Sequence, residues 1–372
     1  MIRAFKYRLH PNVHQTAVLE SWRRQCCALY NAALEQRTTA WRQQRRSISR
    51  YDQQVQLTDL RASDLVWSAV PVLVQRSALH RLDLAYASFF RRCKSGETPG
   101  FPRFRAVRRY DSFAIGCVTV HNDRVHVPKL GHVKMNLYRS IAGTIKNATI
   151  RKDSSGAWWV SFQCDVGAAP AKVAIQTKVG IDLGLTTLAT LSTGEEILNP
   201  RFAKQAAEQL AKRQRTLARK QKGSRNRERQ RILVAKSHRH VANQRLDHAR
   251  EEVKKLYDRF DEVAYEGLNV CALARGQFSK SFADASWGVL LRCLVSKAEE
   301  AGKYATPKDP RGTSQRCSGC GEIVRKRLSE RTHCCLKCGL MIGRDHNAAI
   351  NVLSARPVRS GADGYVGVEG EA

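Results

Sequence analysis

The opening residues alternate apolar and polar side chains with the two-residue period of a β-strand. Phe5, Tyr7 and Leu9 share one face of this strand, and Pro11 ends the pattern. Over residues 14–46 the apolar positions lie three and four residues apart, which is the period of a helix. The pattern therefore predicts a strand followed at once by a long amphipathic helix.

Two further helices are predicted before residue 100. Thr58 is a suitable N-cap for a short one, and Pro71 suits the start of a longer one. After a turn-rich break the period returns to two, which predicts strands at Ser112–Val120, Arg124–Val127, Val133–Leu137, Thr144–Arg151 and Trp158–Val166. We expect a small antiparallel sheet or barrel that the first strand completes, with the helices inserted as a lobe.

The second half begins with an apolar strand, Val179–Gly184, which one acid, Asp182, interrupts. Residues 200–260 have helical periodicity and many basic side chains, with one break near Gly223. A further apolar strand ends in Glu266, and a last helix follows Asp345. Residues 355–372 are rich in Gly and low in apolar residues, so we expect a disordered tail.

The net charge narrows the choice of partners. The 372 residues include 64 Lys and Arg against 33 Asp and Glu, a formal net charge of +31 and a pI of about 10.2. Such an excess indicates a polyanionic partner, and nucleic acid is the usual one. No apolar run approaches a membrane span, and no lipidation or signal pattern is present. We therefore expect no membrane partner and a cytoplasmic, nucleoid-associated protein.

Five of the twelve cysteines lie within residues 317–338. Four of them form two Cys-x-x-Cys pairs: Cys317, Cys320, Cys335 and Cys338. Four thiolates from two such turns can surround a Zn²⁺ ion in a closed structural site. Cys334 would break the two-residue spacing, so we leave it out of the ligand set. We expect the seven cysteines elsewhere to be buried free thiols.

Three acidic residues occupy unusual positions. Asp182 interrupts an apolar strand, Glu266 ends another, and Asp345 directly precedes a predicted helix. Carboxylates are the ligands that Mg²⁺ prefers, and three of them could hold one or two ions for phosphodiester hydrolysis. Each also has a structural alternative, because Asp345 could cap its helix and Asp182 could pair with an arginine.

Several motifs resemble those of the TnpB family, transposon-encoded proteins related to type V CRISPR effectors. The similar segments are Ala4–Leu9, Gly100–Phe104, Gly180–Gly184, Tyr265–Asn269, Phe282–Gly288, Thr313–Cys317 with the paired knuckles, and Arg344–Ala349. The chain departs from the family pattern at Gly267 and Gly343, where many relatives have an acid. Neither position belongs to the three carboxylates.

The resemblance implies an α+β multidomain protein. Its parts would be a wedge-type antiparallel β-barrel (residues 1–10 and 100–170) and a helical recognition lobe (11–99). An RNase H-like, RuvC-type α/β nuclease domain (171–312 and 341–354) would contain an inserted zinc ribbon with four cysteine ligands (313–340), ahead of the tail at 355–372. Asp182, Glu266 and Asp345 would be the catalytic Mg²⁺ ligands.

The resemblance also implies a function and partners. The chain would be a Mg²⁺-dependent, RNA-guided DNA endonuclease. Its partners would be a guide RNA from the transposon end and double-stranded target DNA next to a short motif. The basic helices at 204–259 would grip the RNA–DNA duplex through its backbone, and Arg344 could contact the scissile phosphate.

Two other functions remain open. A guided DNA-binding repressor would share the scaffold but would be expected to lose the acids, which this chain keeps. A DNA transposase can use the same RNase H-like fold. We find no separate end-binding helix-turn-helix in the pattern, and the zinc module before Asp345 is untypical of that class.

Overall fold

The computed structural model describes residues 1–269, 279–327 and 330–358. The chain divides into two compact units, Met1–Ala168 and Ala169–Ala372. Cys271 and most of the predicted tail, residues 359–372, lie outside the described residues, so their predictions stay untested.

The first unit combines helices with one antiparallel sheet. The helices are α1 (Val13–Gln44), α2 (Arg50–Ser63), α3 (Leu65–Ser68) and α4 (Val72–Lys94). The strands are β1 (Ile2–His10), β2 (Ser112–Ile115), β3 (Thr119–His121), β4 (Arg124–Val127), β5 (Gly131–Met135), β6 (Thr144–Lys152) and β7 (Trp158–Asp165). The sheet order is β2-β6-β7-β1-β5-β4-β3, so β1 completes it from the far end of the sequence.

The predicted strand over residues 112–120 is in fact two strands. Cys117 has a positive φ of 56°, which breaks the extended backbone between β2 and β3. The expectation of buried free thiols is also wrong for Cys117 and Cys93, which are exposed, whereas Cys26, Cys27 and Cys164 are buried.

Helix capping corrects another prediction. Thr58 lies in the interior of α2, where its hydroxyl donates to the Gln54 carbonyl at 3.1 Å. The N-cap is Ser49, whose side chain accepts from the Asp52 amide while the Asp52 carboxylate accepts from the Ser49 amide. This reciprocal pair satisfies two amides at once and starts the helix well before the expected residue.

The second unit contains the five-stranded sheet on which the candidate site stands. Its strands are β8 (Lys178–Leu183), β9 (Thr187–Leu191), β10 (Glu196–Leu198), β11 (Glu262–Glu266) and β12 (Tyr304–Lys308), in the order β10-β9-β8-β11-β12. Strands β8, β11 and β12 run parallel, and β9 and β10 are antiparallel additions. A separate hairpin pairs β13 (Thr332–Cys334) with β14 (Met341–Gly343).

Within the described residues, five helices accompany this sheet: α5 (Phe202–Arg219), α6 (Arg225–Arg259), α7 (Ser279–Ala285), α8 (Trp287–Ala301) and α9 (Arg344–Ser354). Helices α5 and α6 form a hairpin whose turn contains Gly223 at φ 85°. Ser224 caps α6 by accepting from the Arg227 amide. The sheet and helices bury a common apolar core that includes Ile181, Val263 and Leu294.

Candidate active site and cysteine cluster

Parallel pairing brings the first two acids to one edge of the sheet. Strands β8 and β11 are in register through Ile181 and Tyr265, so Asp182 and Glu266 follow side by side at the carboxyl ends of the strands. They are separated by more than eighty residues of chain, most of it in the α5–α6 hairpin. The sheet, not the local sequence, makes them neighbours.

The third acid, Asp345, lies on helix α9, which packs directly on β8. A Cβ at Gly180 would lie 2.2 Å from the Ala349 carbonyl oxygen, so only glycine permits this approach. Asp345 is four residues, about one turn, before Ala349, and it lies close enough to Asp182 for its charge to raise the Asp182 pKa. Its place in the first turn of α9 favours a negative charge there.

The electrostatics show that the three carboxylates share one environment. Burial raises the pKa of Asp182 to about 8, and the charges of Glu266 and Asp345 contribute to that rise, while Arg344 opposes it. Among the residues that the structure describes, none donates a hydrogen bond to the Asp182 carboxylate. An acid placed in this way is costly to ionise unless a cation joins it.

Glu266 is buried, and one side chain orients it. The Thr313 hydroxyl donates to Glu266 Oε1 at 2.6 Å, and Thr313 itself is 5% exposed. Burial raises the pKa of Glu266, and the hydrogen bond from Thr313 opposes that shift. The sequence pointed to the motif at residues 313–317, but it gave no sign of this contact between Thr313 and Glu266.

Two arginines lie beside the third acid, Asp345. Arg344 Nε lies 3.1 Å from Asp345 Oδ1, and Arg331 approaches the other carboxylate oxygen at 3.8 Å. Arg344 also donates to the Glu330 carbonyl at 3.2 Å. The guanidinium of Arg344 therefore belongs to the same charged cluster as the carboxylates.

The structure also explains the motif at residues 282–288, whose role the sequence did not reveal. Trp287 Nε1 donates to the Gly184 carbonyl at 3.2 Å, which supports the chain just beyond Asp182. Asp284 accepts from the amides of Ala203 and Lys204 and pairs with Arg245 at 2.9 Å. Asp284 therefore joins α7 to α5 and α6, whereas Trp287 joins α8 to the end of β8.

The four predicted cysteines meet in space. Their four Sγ atoms all lie within 4.8 Å of one another. Among the described residues, this is the one group of three or more His, Cys, Asp or Glu side chains found with an arrangement that could hold a metal ion. The Cys317–Cys338 and Cys320–Cys335 sulfur pairs are each 3.6 Å apart. Tetrahedral Zn–S bonds of about 2.3 Å require sulfurs about 3.8 Å apart, so the donor set fits zinc. Cys334 is outside the group, as predicted.

The local backbone of the two knuckles is built for thiolates. Gly321 and Gly339 follow the knuckles at φ of 78° and 75°, which suits a tight turn. The Cys338 amide donates to Cys335 and, with further amides and thiols, lowers the pKa of the Cys335 thiol to about 7. Amides also lower the pKa values of Cys320 and Cys338, but burial and the neighbouring thiols outweigh them and raise both, that of Cys338 to about 12. Such amide donors stabilise negative sulfur before any metal contributes.

Helix α9 connects the cysteine cluster to the carboxylates. Asn347 is fully buried; its side chain accepts from the Ser318 amide and donates to the Arg316 carbonyl. One turn later Asn351 donates to the carbonyls of Thr313 and Arg316. The helix that carries Asp345 thus holds the segment that leads from Thr313 into the first knuckle.

Thr190 pairs with Asp182 across β8 and β9, and its buried hydroxyl has no partner among the described residues. A buried hydroxyl beside Asp182 fits a hydrated divalent cation, since water on the ion can satisfy it.

Comparison with known families assigns three parts of the chain. The OrfB_IS605 family model, described as "Probable transposase", matches residues 161–277, and the "Cas12f1-like, TNB domain" model matches residues 287–352. A model described as "Helix-turn-helix domain" matches residues 1–46. Those residues form strand β1 and the single helix α1.

A Streptomyces pristinaespiralis protein named "Putative RNA-guided DNA endonuclease" is 32% identical over 361 residues, covering 95% of this chain and 89% of the relative. The chain belongs to the TnpB family. A second member, "Putative RNA-guided DNA endonuclease InsQ" of Escherichia coli (strain K12), is 27% identical over 95% of this chain and 92% of its own length.

The TnpB-family fold also extends to a solved CRISPR effector. A structure described as "Cryo-EM structure of the Cas12f1-sgRNA-target DNA complex" aligns with a TM-score of 0.59 over 92% of this chain and 83% of that one, at 14% identity. At this identity the likeness concerns the fold. Within the described residues, no helix is both long and apolar enough to cross a membrane.

Proposed function

We propose that this TnpB-family chain is an RNA-guided DNA endonuclease that cleaves with Asp182, Glu266 and Asp345. One observation carries the proposal: burial raises the pKa of Asp182, and the charges of Glu266 and Asp345, from two distant segments, add to that rise. The names of the relatives, which describe RNA-guided DNA endonucleases, support it independently.

The three carboxylates would hold Mg²⁺, and we propose a pair of ions, as in two-metal phosphodiester hydrolysis. Bound Mg²⁺ supplies activation of water and stabilisation of the leaving oxygen. Thr313 would orient Glu266, and Asp345 would be placed by the contact between α9 and Gly180. Arg344 lies where a guanidinium could contact the scissile phosphate. Together these residues would make a RuvC-type site on an RNase H-like sheet.

The cysteine cluster would hold one structural Zn²⁺. All four positions of a tetrahedral ion are taken by thiolates, so the ion would have no open position for catalysis. Through Asn347, Asn351 and Thr313 the zinc module would stabilise the geometry around Glu266.

The α5–α6 hairpin would bind the guide–target duplex. Residues 204–250 contain fifteen Lys and Arg against three Asp and Glu. The acids farther along α6 are paired locally, for example Asp258 with Lys254 and Glu252 with Lys255. The excess charge therefore lies toward the hairpin turn, where it suits an A-form phosphate backbone.

For the first unit we propose a wedge-type sheet (residues 1–10 and 100–170) with the recognition helices of residues 11–99 inserted between β1 and β2. The guide RNA would come from the transposon end. The protein would act in the prokaryotic cytoplasm, at the nucleoid.

The test begins with co-purified RNA. The chain is expressed with its native flanking DNA, and the RNA that purifies with it is sequenced. We expect one discrete species with a structured constant part and a variable end, which then serves to program cleavage of plasmid DNA. Random cellular fragments, with no programmed cleavage, would refute RNA guidance.

The transposase alternative is favoured by the "Probable transposase" model at residues 161–277 and by the "Helix-turn-helix domain" model at residues 1–46. Strand-transfer products joined to target DNA in the same reaction would support it. The repressor alternative predicts guided binding without cleavage, and the survival of all three acids argues against it.

A further inference from the structure

An aromatic cluster lies at the C-terminal end of α4 and in the loop that follows. The rings of Tyr86, Phe89, Phe90 and Phe101 contact one another, with centroids 5.2 to 6.2 Å apart. Despite these contacts Phe90 is 55% exposed and Phe101 is 48% exposed. A cluster whose rings contact one another but which leaves about half of two phenylalanines exposed differs from an ordinary core.

Looseness of the loop does not explain the exposure. Asn31 on α1 holds Arg105 at two points: its side chain donates to the Arg105 carbonyl at 2.9 Å and accepts from the Arg105 amide at 2.8 Å. Pro102, next to Phe101, is buried. The loop is thus anchored in a position that keeps the Phe101 ring partly in water.

The surroundings are strongly basic. Residues 85–109 include seven Lys and Arg and a single acid, Glu97. Three of the cations lie in the last turn of α4, where they also balance the helix dipole. The other four, which that role does not explain, are Arg103, Arg105, Arg108 and Arg109.

The exposed face of Phe90 lines an open depression of about 530 Å³. Arg91 and Lys94 line the same depression. An aromatic face bordered by cations is the arrangement with which proteins hold single-stranded nucleic acid, because every base has a stacking face and every nucleotide a phosphate.

We propose that this aromatic–basic surface binds unpaired bases of a nucleic-acid strand, which stack on Phe90 and Phe101 while the cations contact the phosphates. Bases inside a duplex have both faces covered, so the surface fits a strand end or an unpaired segment. The positive charge disfavours a second copy of this chain. The inference extends the proposed function. It rests on that function in one respect, because the strand that binds this surface of the first unit is taken to be part of the guided complex.

The test uses variants that preserve charge. Phe90→Leu/Phe101→Leu is compared with the wild-type full chain by fluorescence anisotropy on labelled single-stranded oligonucleotides. DNA and RNA of one sequence are used, each with a matched abasic version. We expect the double variant to bind the normal strand about tenfold more weakly and the abasic strand as the wild type does. The slope of affinity against salt should not change, since no cation is lost.

Leu84→Ala is the matched control, because Leu84 is 54% exposed on the same helix but outside the ring cluster. It should bind every strand like the wild type. Circular dichroism melts verify that the variants fold, and Phe101→Leu alone replaces the double variant if that one does not. Cross-linking of a 5-bromouridine strand provides a second readout, with the expected adducts in the peptides containing Phe90 or Phe101.

The proposal would be overturned if the double variant lost affinity equally for normal and abasic strands, or if it lost affinity for neither. The relative affinity for DNA and RNA shows which strand is the partner. Because no step requires guided cleavage, the result is separable from the proposed function. If the wild type cleaves under guidance and the double variant binds single strands as tightly as the wild type, the proposed surface is refuted. The proposed function then still stands.

Discussion

The cysteine cluster and the carboxylate site are both suited to metal ions, but they are assembled in opposite ways. The four thiols come from twenty-two consecutive residues and meet through two tight turns. The three acids come from two parallel strands and a helix spread over more than 160 residues. One site is a product of local spacing, and the other is a product of topology.

The difference extends to how each site is supported. Amide donors of the knuckles themselves stabilise the thiolates, whereas the carboxylates depend on Gly180, Thr313 and Trp287 from separate segments. We therefore expect loss of a cysteine to damage the fold, and loss of an acid to damage the chemistry while sparing the fold.

The largest effect is expected for Asp182→Asn. This change removes a charge that the cation requires, so guided DNA cleavage should fall by more than about 1,000-fold while target binding stays intact. Single-turnover cleavage and gel-shift binding are measured on the same preparation. Asp258→Asn, at an exposed ion pair on α6, should cleave normally. Cleavage within about tenfold of wild type in Asp182→Asn would refute the assigned site.

Loss of a knuckle cysteine should affect the fold instead. Cys335→Ser should reduce the zinc content from about one ion per chain to none. It should also destabilise the segment around residues 313–343 by ~3 kcal/mol or more. Metal analysis and hydrogen exchange of that segment give the readout. Cys334→Ser is the control: it is adjacent but outside the cluster, and should keep the zinc. A zinc-free Cys334→Ser protein would mean that the ligand set is wrong.

Thr313 tests the link between the two sites. Thr313→Val keeps the shape but removes the hydrogen bond to Glu266, which is worth about 1.5–3 kcal/mol when the partner is charged. Cleavage should fall about 10- to 100-fold, and Mn²⁺ binding, followed by electron paramagnetic resonance, should weaken. Zinc content should not change. Thr313→Ser, which keeps the donor, should restore both properties; if it behaves like Thr313→Val, the hydroxyl is not the cause.

The smallest expected effect concerns stability and pH. Asp182 has its pKa raised from 3.8 to about 8 in the folded chain, so between these values the folded state binds a proton that the unfolded state lacks. Without metal, stability should therefore fall as pH rises toward 8. Asp182→Asn cannot ionise, and should be more stable than wild type by about 1–3 kcal/mol at about pH 8.5, with the difference vanishing at about pH 4, close to the unfolded-state pKa.

Denaturant unfolding of the chelated proteins at the two pH values measures this difference. Addition of Mg²⁺ at the higher pH should stabilise the wild type and leave Asp182→Asn unchanged. A variant that is less stable than wild type at both pH values would mean that Asp182 is a structural group, and the contrast with the cysteines would then disappear.

Much of the local structure was predictable because short-range rules decide it. Alternation found most strands of the first unit, helical spacing found α1 and α6, and turn residues separated them, whereas β12, β13 and β14 were not predicted. The prediction failed where two local signals competed: Thr58 resembles a cap, but the reciprocal bonds of Ser49 and Asp52 satisfy more of the helix end. It failed again at Cys117, where the residue that turns the backbone between β2 and β3 is itself neither glycine nor proline.

The candidate site was predictable only in its parts. Asp182, Glu266 and Asp345 each had a structural alternative in the sequence, and their order was identified by family resemblance. The structure adds the parallel register of β8 and β11, the approach of α9 at Gly180, and the hydroxyl of Thr313 on Glu266.

The sequence by itself determined the cysteine quartet, the basic hairpin and the period of each strand and helix, because those properties depend on residues a few positions apart. Only the tertiary structure decided that three distant carboxylates share one environment, and that α9 holds both Asp345 and the entry to the first knuckle. The physical reason is range: turns and helical faces are set by neighbouring residues, whereas the pKa of Asp182 depends on charges that only the folded sheet brings close to it.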